Sequence, residues 1–202
     1  MLDTKHKILE TAERLFAEQG YSATSMRHII AEAGVNLAAI HYHFGSKEDL
    51  LDELVARRVG PVNRERVAAL ERCAADPKAT VEEIMGAFLL PIAGPAEDHP
   101  QFIRLMGRIY AEGLLRGVIE KHFHEVSTRF LAILRKAVPE VPEEEFLWRA
   151  HYLFGAVAHT MCGSPLVPPP VGGDFRSRIE RLITFAAAGF RAAVTETSEV
   201  RG

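Results

Sequence analysis

The chain has 202 residues, 48% of them hydrophobic and 25% charged, the balance of an ordinary globular protein whose length permits one or two domains. A net charge of −3 argues against a general polyanion binder, although a small footprint on such a protein can still be locally positive. No apolar run approaches the roughly 20 residues of a membrane span, and the segment from Met1 to Lys7 has no signal-peptide core. In chain order, Ile8, Ala12, Leu15 and Phe16 recur at helical spacing and predict a first helix from about Asp3 or Thr4 to Gly20. Thr24 or Ser25 caps a second helix that turns Ile29, Ile30 and Ala33 inward and stops at Gly34. Asn36 caps a short third helix, too short to persist in water by itself. Ser46-x-x-Asp49 starts a fourth, with Leu50, Leu51, Leu54 and Val55, which Gly60-Pro61 is expected to break or kink.

Beyond residue 60 the pattern changes. Thr80-x-x-Glu83 opens a helix carrying Val81, Ile84, Met85, Phe88 and Leu89, ended by Pro91 and Gly94-Pro95. His99-Pro100 introduces a stretch with Phe102, Leu105, Met106, Ile109 and Tyr110. One long helix is expected from about Leu114 to Ala137, another from about Glu143 to Cys162, and a last one from about Asp174 to Thr195. A Pro/Gly loop, 163–173, joins the final two, and the tail after Thr195 is polar. Cys73 and Cys162 lie far apart without metal-type pairing, as in a reducing, cytoplasmic protein. The fold expected is all-α with about nine helices: residues 1–51 as a three-helix helix-turn-helix domain, 52–75 as a connecting helix with its break, 76–195 as an effector-binding and dimerisation domain, and 196–202 as a tail.

Three short capped helices with a glycine at the second turn are most economically explained by the major groove of double-stranded DNA. On the third helix Ile40 and Phe44 face its predecessors. Leu37, Ala38, Ala39 and His41 are expected to face bases, the first three through apolar contact and His41 through a hydrogen bond. Thr24, Ser25, Arg27, Tyr42, His43 and Lys47 suit phosphate oxygens. Residues 1–50 contain five Lys/Arg against seven acids, and four histidines. Few ion-pair contacts, a modest salt slope and binding that tightens as histidines protonate are therefore expected.

The series Thr11-Ala12-x-x-Leu15-Phe16-x-x-x-Gly20-Tyr21-x-x-Thr24-Ser25, then Ile29, Ala33-Gly34-Val35 and Tyr42-x-Phe44-x-x-Lys47-x-x-Leu50, resembles the DNA-binding domain of the TetR family. The resemblance implies the same division between phosphate-facing and base-facing residues. It also implies a homodimer and a small-molecule effector. Asn36 stands where Ser or Thr is usual, which is chemically equivalent, and His41 where many members have Tyr. The segment from Val35 to Lys47, with Phe102-x-Arg104-Leu105-x-Gly107, Phe146-x-Trp148-Arg149-x-His151 and Gly155-Ala156, is similar to the PsrA-type branch. That likeness implies a fatty-acid or acyl effector, with its carboxylate near Arg104, Arg108, His151 or His159.

The residues themselves support a dimer. Phe146, Ala150, Leu153, Phe154, Val157 and Met161 form one face of their helix, while Trp148, Tyr152, Gly155, His159 and Cys162 form the other. Leu182 to Phe190 is uncharged all round, and a helix apolar on every side must be covered on every side. Trp148, Tyr152, Gly155, His159, Phe185 and Phe190 are the interface residues expected. An apolar effector pocket is expected at Phe88, Phe102, Met106, Tyr110, Phe130 and His151. No cofactor, metal or membrane partner is expected. A metal-sensing regulator built on His122-x-His124, His151 and His159-x-x-Cys162 is one alternative, and a helical protein-binding adaptor is another. No nucleophile motif, phosphate-binding glycine loop or HExxH supports an enzyme. The function expected is a homodimeric repressor, released from a pseudo-palindromic operator by a small apolar effector.

Overall fold

Helix α1 (Thr4–Gln19) buries Ile8, Ala12, Leu15 and Phe16, the stripe its spacing predicts. The computed structural model describes residues 4–162 and 173–194, except the side chains of Ala39, Ile40, Pro95, Ala111, Leu115 and Cys162. The expected loop at 163–173 and the tail after Thr195 therefore lie almost wholly outside the described residues. α2 (Met26–Ala33) is capped by Ser25, whose Oγ accepts the His28 N–H at 3.1 Å. Gly34 closes it at φ 60°, a conformation that costs a side-chain-bearing residue about 1 kcal/mol or more. α3 (Leu37–Phe44) has eight residues and rests against α1, α2 and α4.

α4 (Lys47–Ala75) is one 29-residue helix, capped by Ser46, with Pro61 inside it. The break expected at Gly60-Pro61 is absent. Pro61 deprives the Arg57 carbonyl of its helical partner, at a cost of about 3 kcal/mol. Leu54, Val55 and Val59 before it and Val62, Arg66 and Leu70 after it are all buried. Packing on both sides of the proline holds the helix together.

α5 (Val81–Leu89) starts with a full capping box between Thr80 and Glu83 and runs through a 3₁₀ turn, Leu90–Ile92, into α6 (Ala93–Asp98). α7 (Pro100–Ala111) follows. The single helix expected over 114–137 is two, α8 (Leu115–His122) and α9 (His124–Ala137). The His122 carbonyl, which a continuous helix would give to the Val126 amide, instead accepts from Asn63 Nδ2 of α4 at 2.6 Å. α10 (Glu143–Cys162) and α11 (Phe175–Arg191) complete eleven α-helices among the described residues, against about nine expected.

The apolar interior divides into two clusters. One joins α1–α3 and the front of α4 to Phe102, Leu105, Met106 and Ile109 of α7. The other joins Leu70 at the back of α4 to α5, α9, α10 and α11. The N-terminal unit thus shares its core with α7 of the domain that follows.

Candidate DNA-binding surface and effector domain

α3 is anchored through Phe44, which is buried and lies 5.8 Å from Lys5 Nζ. Its outer side carries Leu37, 55% exposed, and Tyr42, 86% exposed, with Ala38 also in solvent. The Tyr42 ring meets His43 edge-on at 5.1 Å. The side chain of Ala39 lies outside the described residues. His41 Nδ1 sits 3.1 Å from the Gly45 carbonyl. A carbonyl only accepts, so this contact selects the tautomer with its proton on Nδ1 and leaves Nε2 as the acceptor. Beside α3, Ser25 and Arg27 are exposed on α2, and Arg27 has no partner among the described residues.

Two expected phosphate ligands have other work. Thr24 is buried, and its hydroxyl donates inward to the Gly20 carbonyl at 2.8 Å. Lys47 Nζ donates to the carbonyls of Tyr21 and Thr24, both at 2.9 Å, and lies 4.2 Å from the Tyr21 ring centroid. The α1–α2 turn presents carbonyls that its own short helices do not satisfy, and Thr24 and Lys47 satisfy them. Tyr21 donates its hydroxyl to Glu48 at 3.1 Å; burial first, and then Glu48, push that phenol far above its ordinary pKa. Lys5 is paired with Glu53, and Arg14 with Glu18 and Glu32. Arg27 and Lys7 are the cations of residues 1–50 with neither an ion pair nor a hydrogen bond among the described residues, while Lys47 has only its carbonyl partners.

The turn is also gripped from the second domain. Glu112, at the end of α7, accepts from the Tyr21 amide at 2.9 Å and from the Ser22 amide and hydroxyl at 2.8 and 2.6 Å. Partial burial alone would raise its pKa, but the Ser22 and Tyr21 bonds and the Arg108 charge bring it below the ordinary carboxylate value. Gly20, at φ 94°, is needed here, because a Cβ would stand 2.5 Å from Glu112 Oε1. Arg108 adds a bond to the Glu18 carbonyl at 3.2 Å. Sequence reasoning missed Glu112 entirely, since its partners lie 90 and 91 residues away.

The six residues expected to line an effector pocket do not converge. Phe88 and Phe130 stack at 4.3 Å and fill the second cluster, with Phe154 edge-on to both. Phe102 and Met106 belong to the first cluster, against α1. Tyr110 and His151 are exposed. Arg104, Arg108 and His159, suggested as carboxylate partners, are exposed as well. Aromatic spacing marked these positions as inward-facing without revealing that close stacking leaves no space between Phe88 and Phe130. A polar cleft of about 370 Å³ lies where Arg58 of α4 bridges Glu13 of α1 and His99, and a shallow groove of about 680 Å³ runs past Cys73; neither includes the six.

Residues 8–54 match the family of bacterial regulatory proteins, tetR family, and residues 82–189 match the Tetracyclin repressor-like C-terminal domain. The chain belongs to the TetR family. Proteins of that family are DNA-binding transcriptional regulators, not enzymes. It is 28% identical over 141 residues to the uncharacterised regulator YerO of Bacillus subtilis, covering 68% of this chain and 46% of that protein. It is 34% identical over 83 residues to AcrR of Shigella flexneri, covering 41% of this chain and 39% of that one. The chain thus spans less than half the length of these curated relatives. The solved structure of the fatty acid degradation regulator FadR from Bacillus halodurans superposes with a TM-score of 0.66 at 17% identity, covering 96% of this chain and 99% of that one, which is a likeness of fold.

In this TetR-family protein α10 and α11 carry an outward aromatic face. Trp148 and Tyr152 stack at 5.8 Å and are both exposed, Gly155 and His159 lie on the exposed side of α10, and Phe185 on α11 is 74% exposed. Phe190, expected on the same face, is 2% exposed and packs edge-on against Phe146 at 5.8 Å, so it belongs to the core. The α11 turn after Phe185 brings Phe190 round to the inner side. Of the alternative metal set, His122 Nε2 is bonded to Asp52 at 2.8 Å. The described residues hold no group of three metal-ligating side chains.

Proposed function

We propose that this protein is a homodimeric repressor acting in the cytoplasm, with α3 of each protomer in successive major grooves of a pseudo-palindromic operator. The observation that carries the reading is α3 itself, locked to the core by Phe44 while presenting Leu37 and Tyr42 to solvent. Leu37, Ala38, Ala39 and His41 read base edges, the first three through thymine methyls and close approach. Ser25, Arg27, Tyr42 and His43 hold phosphates, and Thr24 and Lys47 fix the α1–α2 turn that leads into Ser25 and Arg27. With Arg27 and Lys7 the free cations here, one copy binds weakly, and the exposed Trp148, Tyr152 and Phe185 supply the second copy. Half-sites then lie about one helical turn apart, or slightly more.

The effector we propose is a small apolar molecule, a long-chain fatty acid or acyl derivative, supported by the PsrA-type likeness. It acts by favouring a dimer in which the α3 separation is wrong, and a full switch needs about 5.5 kcal/mol of differential binding. Two connections carry the change: α4, unbroken from the second cluster to Lys47, and the Glu112 grip on the α1–α2 turn. Selecting bound sites from random DNA tests the regulator, with Tyr42→Ala as control. The selection is expected to return a pseudo-palindrome, which Tyr42→Ala binds about tenfold or more weakly with unchanged thermal stability. Recovery of no preferred sequence would refute the reading.

A further inference from the structure

Two arginines are buried among the described residues, and they are satisfied unequally. Arg149 on α10 donates Nε to Glu145 at 2.8 Å and its terminal nitrogens to the Phe190 and Ala192 carbonyls at 2.8 and 3.0 Å. Its charge is balanced, and it closes the end of α11. Arg66 on α4 is 4% exposed and has no carboxylate partner among the described residues. Nε donates to the Phe88 carbonyl at 2.7 Å and Nη1 to Asn63 Oδ1 at 3.2 Å. The guanidinium lies 4.5 Å from the Phe88 ring centroid and 5.8 Å from that of Phe123. Nη2 makes no hydrogen bond to a described residue and is not sealed from solvent, since no fully buried side-chain nitrogen or oxygen among the described residues lacks a partner. Burial alone acts on its pKa, lowering it to about 10, with no carboxylate to offset the loss of water.

A structural role accounts for only part of this. The Phe88 carbonyl in the last turn of α5 uses one N–H, and a neutral side chain of similar volume would fill the space without burying a charge. The position is also particular. Phe88 belongs to the second apolar cluster and Phe123 packs on the first, so the guanidinium occupies the seam between two separately packed cores. Parting such a seam disturbs less packing than opening either cluster. The hydrogens of the two terminal nitrogens match the two oxygens of a carboxylate. A single negative charge would balance Arg66, whereas a phosphate dianion would leave charge uncompensated between the rings.

We propose that Arg66 anchors the effector's head group, and that the effector is an amphipathic carboxylate whose apolar body parts the seam beside Phe88 and Phe123. This rests on the second domain being the effector-binding one. The test is calorimetry on the full chain with medium- to long-chain straight carboxylates and the primary alcohols of matching length. The carboxylates are expected to bind at least about tenfold tighter than the alcohols. Arg66→Met, which keeps volume and removes charge, is expected to equalise them. Arg66→Lys, which keeps charge and loses the fork, is expected to retain part of the preference, and it decides the matter if Arg66→Met does not fold. Equal affinities in the unmodified protein, a preference surviving Arg66→Met or undiminished by Arg66→Lys, or binding by none of the carboxylates would overturn the proposal. Operator release separates the two readings. Release by alcohols as readily as by carboxylates removes the anion anchor and leaves the regulator intact. Failure to find any operator removes the regulator and leaves the calorimetric preference standing.

Discussion

Glu112→Gln tests the grip between the two domains with a nearly isosteric change. The carboxylate accepts from two amides and one hydroxyl at 2.6–2.9 Å. Glutamine keeps one acceptor oxygen, and its amide must turn N–H groups toward either Tyr21 or Ser22, both of which present donors. Hydrogen bonds to a charged group contribute about 1.5–3 kcal/mol each, but this carboxylate is partly exposed and screened. A total loss of about 2 kcal/mol is therefore expected, or about 4–8 °C in Tm for a chain of this size. The Ser22 hydroxyl shares the same oxygen, so Ser22→Ala and Glu112→Gln should be non-additive in a double-mutant cycle of urea unfolding. The folded-state pKa lies below the unfolded value near 4.5, so this contribution is complete above that pH and is lost as pH falls through the folded value. The stability gap between the two proteins should accordingly be full at neutral pH and close in acid. Coupling should weaken too: losing about 1 kcal/mol of it reduces effector-triggered operator release about fivefold. Unchanged stability together with an unchanged effector response would refute the grip.

Lys47→Ala removes both carbonyl bonds and the contact with the Tyr21 ring, so it should destabilise the fold by about 2 kcal/mol in urea unfolding before any DNA is added. A fully stable Lys47→Ala protein with lost DNA affinity would return Lys47 to the phosphates. Tyr152→Glu with Phe185→Glu places carboxylates on the exposed aromatic face, and sedimentation should show the dimer replaced by monomer at micromolar concentration with operator affinity down about a hundredfold. A dimer of undiminished affinity would place the interface elsewhere.

The all-helical class, the caps at Ser25, Ser46 and Thr80, the Gly34 stop and the exposed side of α3 were legible in the sequence, because each depends on residues within a turn or two of one another. The inward stripe of α10 was legible for the same reason. Arg66 was missed, although it falls at the core-facing spacing of Val59, Val62, Ala69 and Leu70, where a charged residue is out of place. What local pattern could not decide was which partner each inward group would find. The continuity of α4 through Pro61 depends on packing either side of it, and the division of α8 from α9 on a bond from Asn63. Thr24 and Lys47 face the turn because it offers unsatisfied carbonyls, and Glu112 reaches the same turn across 90 residues. Helical periodicity is set by the backbone and so is written along the chain. Hydrogen-bond partners and core volume are set by residues far apart in sequence, and they exist only once the helices are packed.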